Sequence, residues 1–213
     1  GNAKMEYIFD NTRKRGLNLY YGTRCKFFAE YLRRIDKEKT DIIVLGMDVR
    51  NYKKIHRDFI WANRLAASTS FGKQKLVYYM GGVDNWFTPR FNNSTPTSTT
   101  ENYAYQTLAT PMRGFTQNIR NGNSFVLYNT ELRLPLFRYL INKPMRSDFL
   151  NNFQLIAFFD VGTAWTGKDP YSSKSSLNTQ IIGGPPGPVT VIIETLREPV
   201  VGGYGWGLRS RLL

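Results

Sequence analysis

Apolar residues in this chain recur at every second position, and this period of two limits the possible folds more than any other feature. In the segment 41–52 four apolar residues fall on one side of an extended strand: Ile43, Leu45, Met47 and Val49. The other side is more polar and carries Val44, Gly46, Asp48, Arg50 and Tyr52. Such alternation predicts strands with one apolar and one polar face, as in a sandwich in water or a barrel in a membrane.

Seven segments show this alternation, and several are longer than the strands of most soluble proteins. Soluble strands average ~5–6 residues, whereas a tilted strand that crosses a membrane needs ~9–11. The segments lie at about residues 3–10, 17–33, 40–52, 59–71, 124–139, 150–165 and 191–211. Their length favours an all-β fold, with antiparallel strands in a transmembrane β-barrel.

The connections between these segments alternate between short and long. Residues 11–16, 53–58 and 140–149 are short and charged, whereas 72–123 and 166–190 are long and rich in Ser, Thr, Asn, Gly and Pro. The short connection 34–39 is the exception, because it falls on the long-loop side. Short turns at one rim and long loops at the other are typical of outer-membrane barrels, whereas soluble domains rarely contain such long irregular stretches.

The net charge of +13 and the aromatic content, with 13 Tyr, 14 Phe and 4 Trp, also bear on the function class. Nucleic-acid binding is the ordinary explanation of such a charge, but it requires a basic stripe on one face. Here Lys and Arg are scattered along nearly every segment, which favours a barrel with cations in its lumen and aromatic girdles at its rims. A soluble basic β-domain that binds nucleic acid remains an alternative.

Catalytic and metal chemistry have little support in the sequence. Cys25 is the only cysteine, so an internal disulfide and a cysteine-built metal site are excluded. His56 is the only histidine and lies in a polar run that is typical of a turn, without nearby catalytic partners. We therefore expect no enzyme activity, no catalytic residue, no metal and no cofactor. No apolar run is long enough for a membrane-spanning helix, and the N-terminal residues do not resemble a signal peptide.

Three charged positions, one in the long connection and two in the strands that follow it, are candidates for the polar face. Arg113 lies late in the long connection 72–123, and Glu131 and Asp160 lie in the next two strand segments. Alternate residues of a strand share a face, so Glu131 lies on the same face as Arg133, and Asp160 on the same face as Gly162. The two neighbouring strands are therefore expected to point both acids into the same lumen. A loop folded back inside would bring the planar Arg113 fork between the two carboxylates, with Gly114 permitting a close backbone approach.

At these residues the chain resembles the BamA-type surface-antigen barrels of bacterial outer membranes. In that family the sixth extracellular loop enters the lumen and ends in an Arg-Gly-Phe/Tyr tip, which here corresponds to Arg113-Gly114-Phe115. The resemblance implies that this tip meets Glu131 and Asp160. Weaker similarities support it in order along the chain: Asp10-Asn11-Thr12 with Gly22-Thr23-Arg24 as a periplasmic turn, Asp48-Val49-Arg50-Asn51-Tyr52, Met80-Gly81-Gly82, and Gly205-Trp206-Gly207-Leu208-Arg209.

The resemblance implies that residues 1–213 are the C-terminal part of one barrel domain, incomplete at both ends. Of roughly sixteen strands, about seven would precede the chain and about two would follow it. Seven strands alone would leave two unpaired edges in lipid, at prohibitive cost. The predicted site residues are the loop tip and its acids (Arg113, Gly114, Phe115, Glu131, Asp160 and Gly162) and secondary lumenal groups (Arg133, Asp48, Arg50 and Arg209).

The implied function is non-enzymatic: insertion, assembly or translocation of proteins at the outer membrane of a diderm bacterium. Long loops would be extracellular and short turns periplasmic. The implied partners are outer-membrane lipid and lipopolysaccharide, client polypeptides, and accessory periplasmic or lipoprotein subunits, without nucleic acid. The alternative is a passive pore or structural barrel fused to another periplasmic module.

Overall fold

The computed structural model describes residues 1–33, 40–83, 87–99, 101–141, 145–183, 187, 190–195 and 197–210. Over these residues the fold is mostly antiparallel β-structure, with two helices of five and four residues. No helix among the described residues is long and apolar enough to cross a membrane. In chain order the elements are β1 (Asn2–Asp10), β2 (Arg13–Gly16), β3 (Leu19–Arg33), β4 (Asp41–His56), β5 (Phe59–Gly72), β6 (Lys75–Met80), β7 (Tyr103–Leu108), β8 (Arg120–Gly122), β9 (Ser124–Pro135), α1 (Leu136–Leu140), α2 (Asp148–Asn151), β10 (Gln154–Trp165), β11 (Thr179–Gly183), β12 (Thr190–Glu194) and β13 (Val201–Arg209).

The main sheet is a meander in which each long strand pairs with the next along the chain. Its order is β1-β3-β4-β5-β9-β10-β13, and β2 pairs with β3 on the same side as β1. The prediction of seven long antiparallel strands is confirmed in this sheet. Among the described residues the sheet is open, with β1 and β13 as its edge strands.

Several boundaries differ from the sequence-based expectation. The expected turn 11–16 is instead a kink at Asn11 followed by β2, because Asn11 Oδ1 accepts the Thr23 backbone N–H at 2.7 Å and keeps the chain paired with β3. The last strand begins at Val201, because residues 190–194 pair with β11 in a separate two-stranded sheet. Residues 136–140 form α1 rather than strand, starting directly after Pro135. The expected connection 34–39 lies outside the described residues.

The long connection between β5 and β9 is more ordered than the sequence predicts. Within residues 72–123, β6 pairs with both β7 and β8 to form a three-stranded sheet. This loop packs on one face of the main sheet, and the two share a buried apolar cluster: Ala66, Tyr78, Met80, Met112, Phe125, Leu127 and Ala164. Polar anchors accompany it, since the Tyr78 hydroxyl lies 2.8 Å from Ser68 Oγ on β5.

The two faces of the main sheet differ sharply in charge. One, here called the apolar face, carries paired rows of apolar residues across all seven long strands, and many are well exposed to solvent: Met5, Tyr7, Phe27, Leu45, Val126, Leu132, Phe159, Tyr204 and Trp206. On the described strands this face has no Asp, Glu, Lys or Arg between the Arg33–Asp41 pair at the loop end and Lys53 at the turn end. The opposite, charged face holds Glu131, Asp160 and the packed loop.

Candidate functional site

Two acids lie side by side on the charged face. Glu131 of β9 is opposite Phe158 in the strand register, and Asp160 of β10 is opposite Asn129. Alternate residues of a strand share a face. Asp160 is two residues beyond Phe158, the register partner of Glu131, so the two acids point to the same face from neighbouring strands. Asp160 is 0% exposed and Glu131 is 7% exposed. Carboxylates buried this deeply require cationic or hydrogen-bonding partners.

Arg113, at the tip of the long loop, supplies the shared partner of both acids. Its Nε and Nη2 donate to the two carboxylate oxygens of Asp160, at 2.8 and 2.7 Å, in a bidentate fork. Its Nη1 donates to Glu131 Oε2 at 2.5 Å, and its backbone N–H donates to Asp160 Oδ2 at 3.0 Å. Burial lowers the pKa of the Arg113 guanidinium, but the hydrogen bonds and charges of both acids outweigh burial, so its pKa is raised.

Glu131 has further cationic partners and is therefore less dependent on Arg113 than Asp160 is. Arg133 Nε donates to Glu131 Oε1 at 2.6 Å, and Arg209 Nη1 lies 3.6 Å from the same oxygen. We call these five residues the Arg113 cluster. It joins three guanidinium groups to two carboxylates and connects β9, β10 and β13 to one loop tip.

Small residues on β13 make room for the loop tip. Gly203 lies opposite Asp160, and a Cβ on it would stand 2.7 Å from the Arg113 carbonyl oxygen. Gly205 lies opposite Phe158, whose ring occupies the space above it, and the Arg113 guanidinium stacks on that ring at 3.9 Å from the centroid. Sequence reasoning did not identify Gly203, although the repeated glycines at 203, 205 and 207 were a visible signal.

The predicted roles of the other tip residues are partly corrected. The prediction that Gly114 permits a close backbone approach is wrong: a Cβ there would meet nothing within 4 Å. Gly114 has a φ of 89°, a conformation that favours glycine for backbone reasons alone. Phe115 packs against the apolar cluster under the loop, and its carbonyl accepts the Gly82 N–H at 2.9 Å. Gly162 does not touch the tip; it makes space for Leu127 on β9.

Two predicted secondary residues form a separate ion-pair group. Asp48 accepts hydrogen bonds from Arg50 at 2.9 and 3.0 Å, and from Arg64 Nη2 at 2.6 Å. Arg64 was not predicted, although its parity on β5 places it opposite Arg50. Between this group and the Arg113 cluster lies a cavity of about 300 Å³, whose wall includes Arg50, Arg64, Arg113 and Arg133.

His56 and Cys25 lie apart from these clusters. His56 Nδ1 is 3.1 Å from the Tyr139 hydroxyl at the turn end, and the imidazole is exposed. Cys25 lies between Phe9 and Val49 on the apolar face. Its neighbour Lys26 faces the other way, where its Nζ is 2.9 Å from Glu6.

No protein-family description matches the sequence, and no curated protein is significantly similar to it. The two faces of the sheet and the Arg113 cluster are therefore the features that bear on function.

Proposed function

We propose that this chain forms part of the wall of an outer-membrane β-barrel of the BamA type, which mediates the insertion, assembly or translocation of proteins without enzymatic chemistry. One observation carries the proposal: an apolar face that is free of charge across seven strands and exposed along its whole width. Soluble monomers rarely expose apolar patches of more than a few hundred Å². Such a face is suited to contact with the hydrocarbon chains of a membrane.

The height of the charge-free region fits a bilayer. On β5 it runs from Trp61 to Phe71, ten residue steps that span roughly 33 Å along the strand. With the ~40° tilt of barrel strands, the vertical height is about 25 Å, which is the apolar band expected of outer-membrane barrels. Trp61 at one end and Phe71 at the other would lie at the two interfaces.

Several polar side chains on the apolar face form hydrogen bonds with one another, as polar groups in hydrocarbon require, although Thr163 Oγ1 and Trp165 Nε1 on the same face have no partner among the described residues. Asn63 Oδ1 accepts hydrogen bonds from the Tyr128 hydroxyl at 2.5 Å and from Thr130 Oγ1 at 2.9 Å. Thr130 in turn accepts the Trp61 indole N–H at 2.7 Å. In water these groups would need no such partners, so their pairing supports a lipid-facing surface.

The charged face would line the lumen, and the loop at residues 72–123 would fold into it. The Arg113 cluster and the apolar cluster then hold the loop against the inner wall, and this pinned loop is the part of the BamA-type proposal that the chain itself contains. Client polypeptides, accessory subunits, and lipid with lipopolysaccharide are the proposed partners, and the outer membrane of a diderm bacterium is the proposed location. Depletion of the protein is expected to lower the levels of other outer-membrane barrels.

A structural or passive barrel is the second candidate, and the packed loop favours it specifically. A three-stranded loop sheet that shares a buried core with the wall would narrow any lumen. Depletion that leaves other outer-membrane proteins at normal levels would favour this candidate over the assembly function, with the same fold.

The native cysteine tests the membrane assignment without a mutation on the wall. Cys25 is expected to react with a lipid-soluble maleimide and to resist a charged, membrane-impermeant maleimide in folded protein in vesicles. The matched control is Lys26→Cys in a Cys25→Ser background, which turns the thiol to the charged face and should make it reactive towards the charged reagent as well. Equal reactivity of both positions with the charged reagent would overturn the proposal.

A further inference from the structure

Cationic and aromatic side chains alternate across four neighbouring strands at the turn end of the sheet. Arg13 on β2 is opposite Tyr21 on β3, and Lys53 on β4 is opposite Trp61 on β5. Lys53 is also the next residue beyond the Gly22–Tyr52 pair, and therefore flanks Tyr21. The row begins where the charge-free region of the apolar face ends.

Ring contacts show which side of the sheet this row occupies. The guanidinium of Arg15 lies 5.3 Å from the centroid of the Tyr21 ring, so Arg15 and Tyr21 share a face. The preceding residue, Tyr20, contacts the Tyr52 ring at 5.6 Å, and Arg133 of the Arg113 cluster lies 5.7 Å from that same ring. Tyr20 is thus on the charged face, and Tyr21 with its cations is on the apolar side.

We call Arg13, Arg15 and Lys53 the basic rim, and its charge is uncompensated. All three residues are exposed, and among the described residues none of them has a carboxylate within ion-pair distance. Arg138 at the same end differs, because it pairs with Asp58 at 2.8 Å. These three unpaired cations lie beside aromatic rings at the border of an apolar surface, and an anion bound at that border would stabilise them.

We propose that the basic rim binds the phosphate group of anionic phospholipids in the adjacent leaflet. Arg13 and Lys53 are two strand spacings apart, about 10 Å between Cα atoms, so both side chains reach a phosphate placed over Tyr21. Arginine contributes a planar fork to phosphate and lysine a point charge. Tyr21 and Trp61 lie in the same row as the cations, so their amphipathic rings would flank the phosphate at the membrane interface, where such rings are favoured. The inference rests on the proposed membrane assignment.

The test compares lipid selectivity in matched triple variants of the full-length protein. The rim variant carries Arg13→Gln, Arg15→Gln and Lys53→Gln. The control variant removes the same charge from exposed cations of the long loops, Arg90→Gln, Lys168→Gln and Lys174→Gln. Each protein is folded into vesicles of mixed phosphatidylcholine and phosphatidylglycerol, and native mass spectrometry after mild detergent extraction measures the ratio of the two lipids that remain bound.

Wild type and the control variant are expected to retain phosphatidylglycerol preferentially, and the rim variant is expected to lose the preference by up to about fivefold for each cation removed. Folding in pure phosphatidylcholine vesicles is measured in parallel. If the proteins fold normally in phosphatidylcholine and the rim and control variants have equal lipid selectivity, the proposal that the basic rim binds anionic phospholipid is overturned. The proposed membrane assignment is then unaffected. Failure of wild type to insert into any vesicle overturns both.

Discussion

The most informative perturbation is the replacement of Arg113, because its two acids depend on it unequally. Arg113→Ala removes two guanidinium contacts from the fully buried Asp160, and of the partners within the described residues it leaves that carboxylate the backbone N–H of residue 113 alone. Glu131 loses one contact and keeps Arg133 at 2.6 Å. The structure therefore predicts a larger coupling of Arg113 to Asp160 than to Glu131.

The magnitudes follow from the number of lost contacts. Removing one partner from a buried ion pair costs about 3–5 kcal/mol, and a retained hydrogen bond offsets part of that cost. We expect Arg113→Ala to lower the free energy of unfolding by about 3 kcal/mol. In double-mutant cycles with Asp160→Asn and Glu131→Gln, the coupling energy should be about 2–3 kcal/mol for Asp160 and about 1 kcal/mol for Glu131.

Equilibrium unfolding of the detergent-folded protein, followed by the heat-dependent shift in electrophoretic mobility, measures these energies. Arg90→Ala is the control, because Arg90 is an exposed arginine of the same loop, and within the described residues its one hydrogen bond is through the backbone carbonyl, which accepts from the Gln117 N–H. Its unfolding free energy should equal that of wild type. Coupling energies that are equal for the two acids, or larger for Glu131, would refute the assignment of Asp160 as the principal partner.

Two further substitutions test the close approach on β13 and the polar pairing on the apolar face. Gly203→Ala should push the loop tip away, because the new methyl group would stand 2.7 Å from the Arg113 carbonyl, whereas Gly207→Ala on the same face meets nothing within 4 Å. Protease cleavage in the loop should rise only in the first variant; equal cleavage in both would contradict the packing. Asn63→Leu should destabilise the folded protein by about 1–3 kcal/mol, since it leaves the Tyr128 and Thr130 hydroxyls without their acceptor in lipid. Urea unfolding measures the change, and an unchanged midpoint would indicate that water reaches this face.

The main sheet was predictable because parity and strand length are local properties of the sequence. Once neighbouring strands pair in sequence order, the alternation fixes which residues share a face, so the sequence alone places Glu131 and Asp160 together. The position of Arg113 between them came from a resemblance, not from spacing. Nothing in the residues near 113 dictates how far a loop of this length folds back, and that distance depends on the packing of its own β-sheet.

The remaining features depend on contacts between distant segments. β6, β7 and β8 form one sheet although the loop that contains them is rich in Ser, Thr and Asn, because β6 gains pairing partners on both sides only after the chain returns from residue 108 to residue 120. Gly203 is informative only when the strand register places it opposite Asp160. From the sequence alone, a glycine in an alternating strand would be taken as a flexible position. Only the three-dimensional structure shows that Gly203 leaves room for the Arg113 carbonyl oxygen.

The apolar cluster and the Arg113 cluster make different contributions to the position of the loop. Apolar burial around Met80 and Met112 is strong but not directional, and sliding by a few ångströms would preserve much of it. The fork from Arg113 to Asp160 is directional, because both oxygens are engaged and the backbone N–H of the same residue is fixed on one of them. Packing therefore supplies most of the adhesion, whereas the ion pairs fix the register. Loss of Arg113 should leave the loop bound to the wall but displaced along it, so loop position is a more sensitive measure of this cluster than total β-structure.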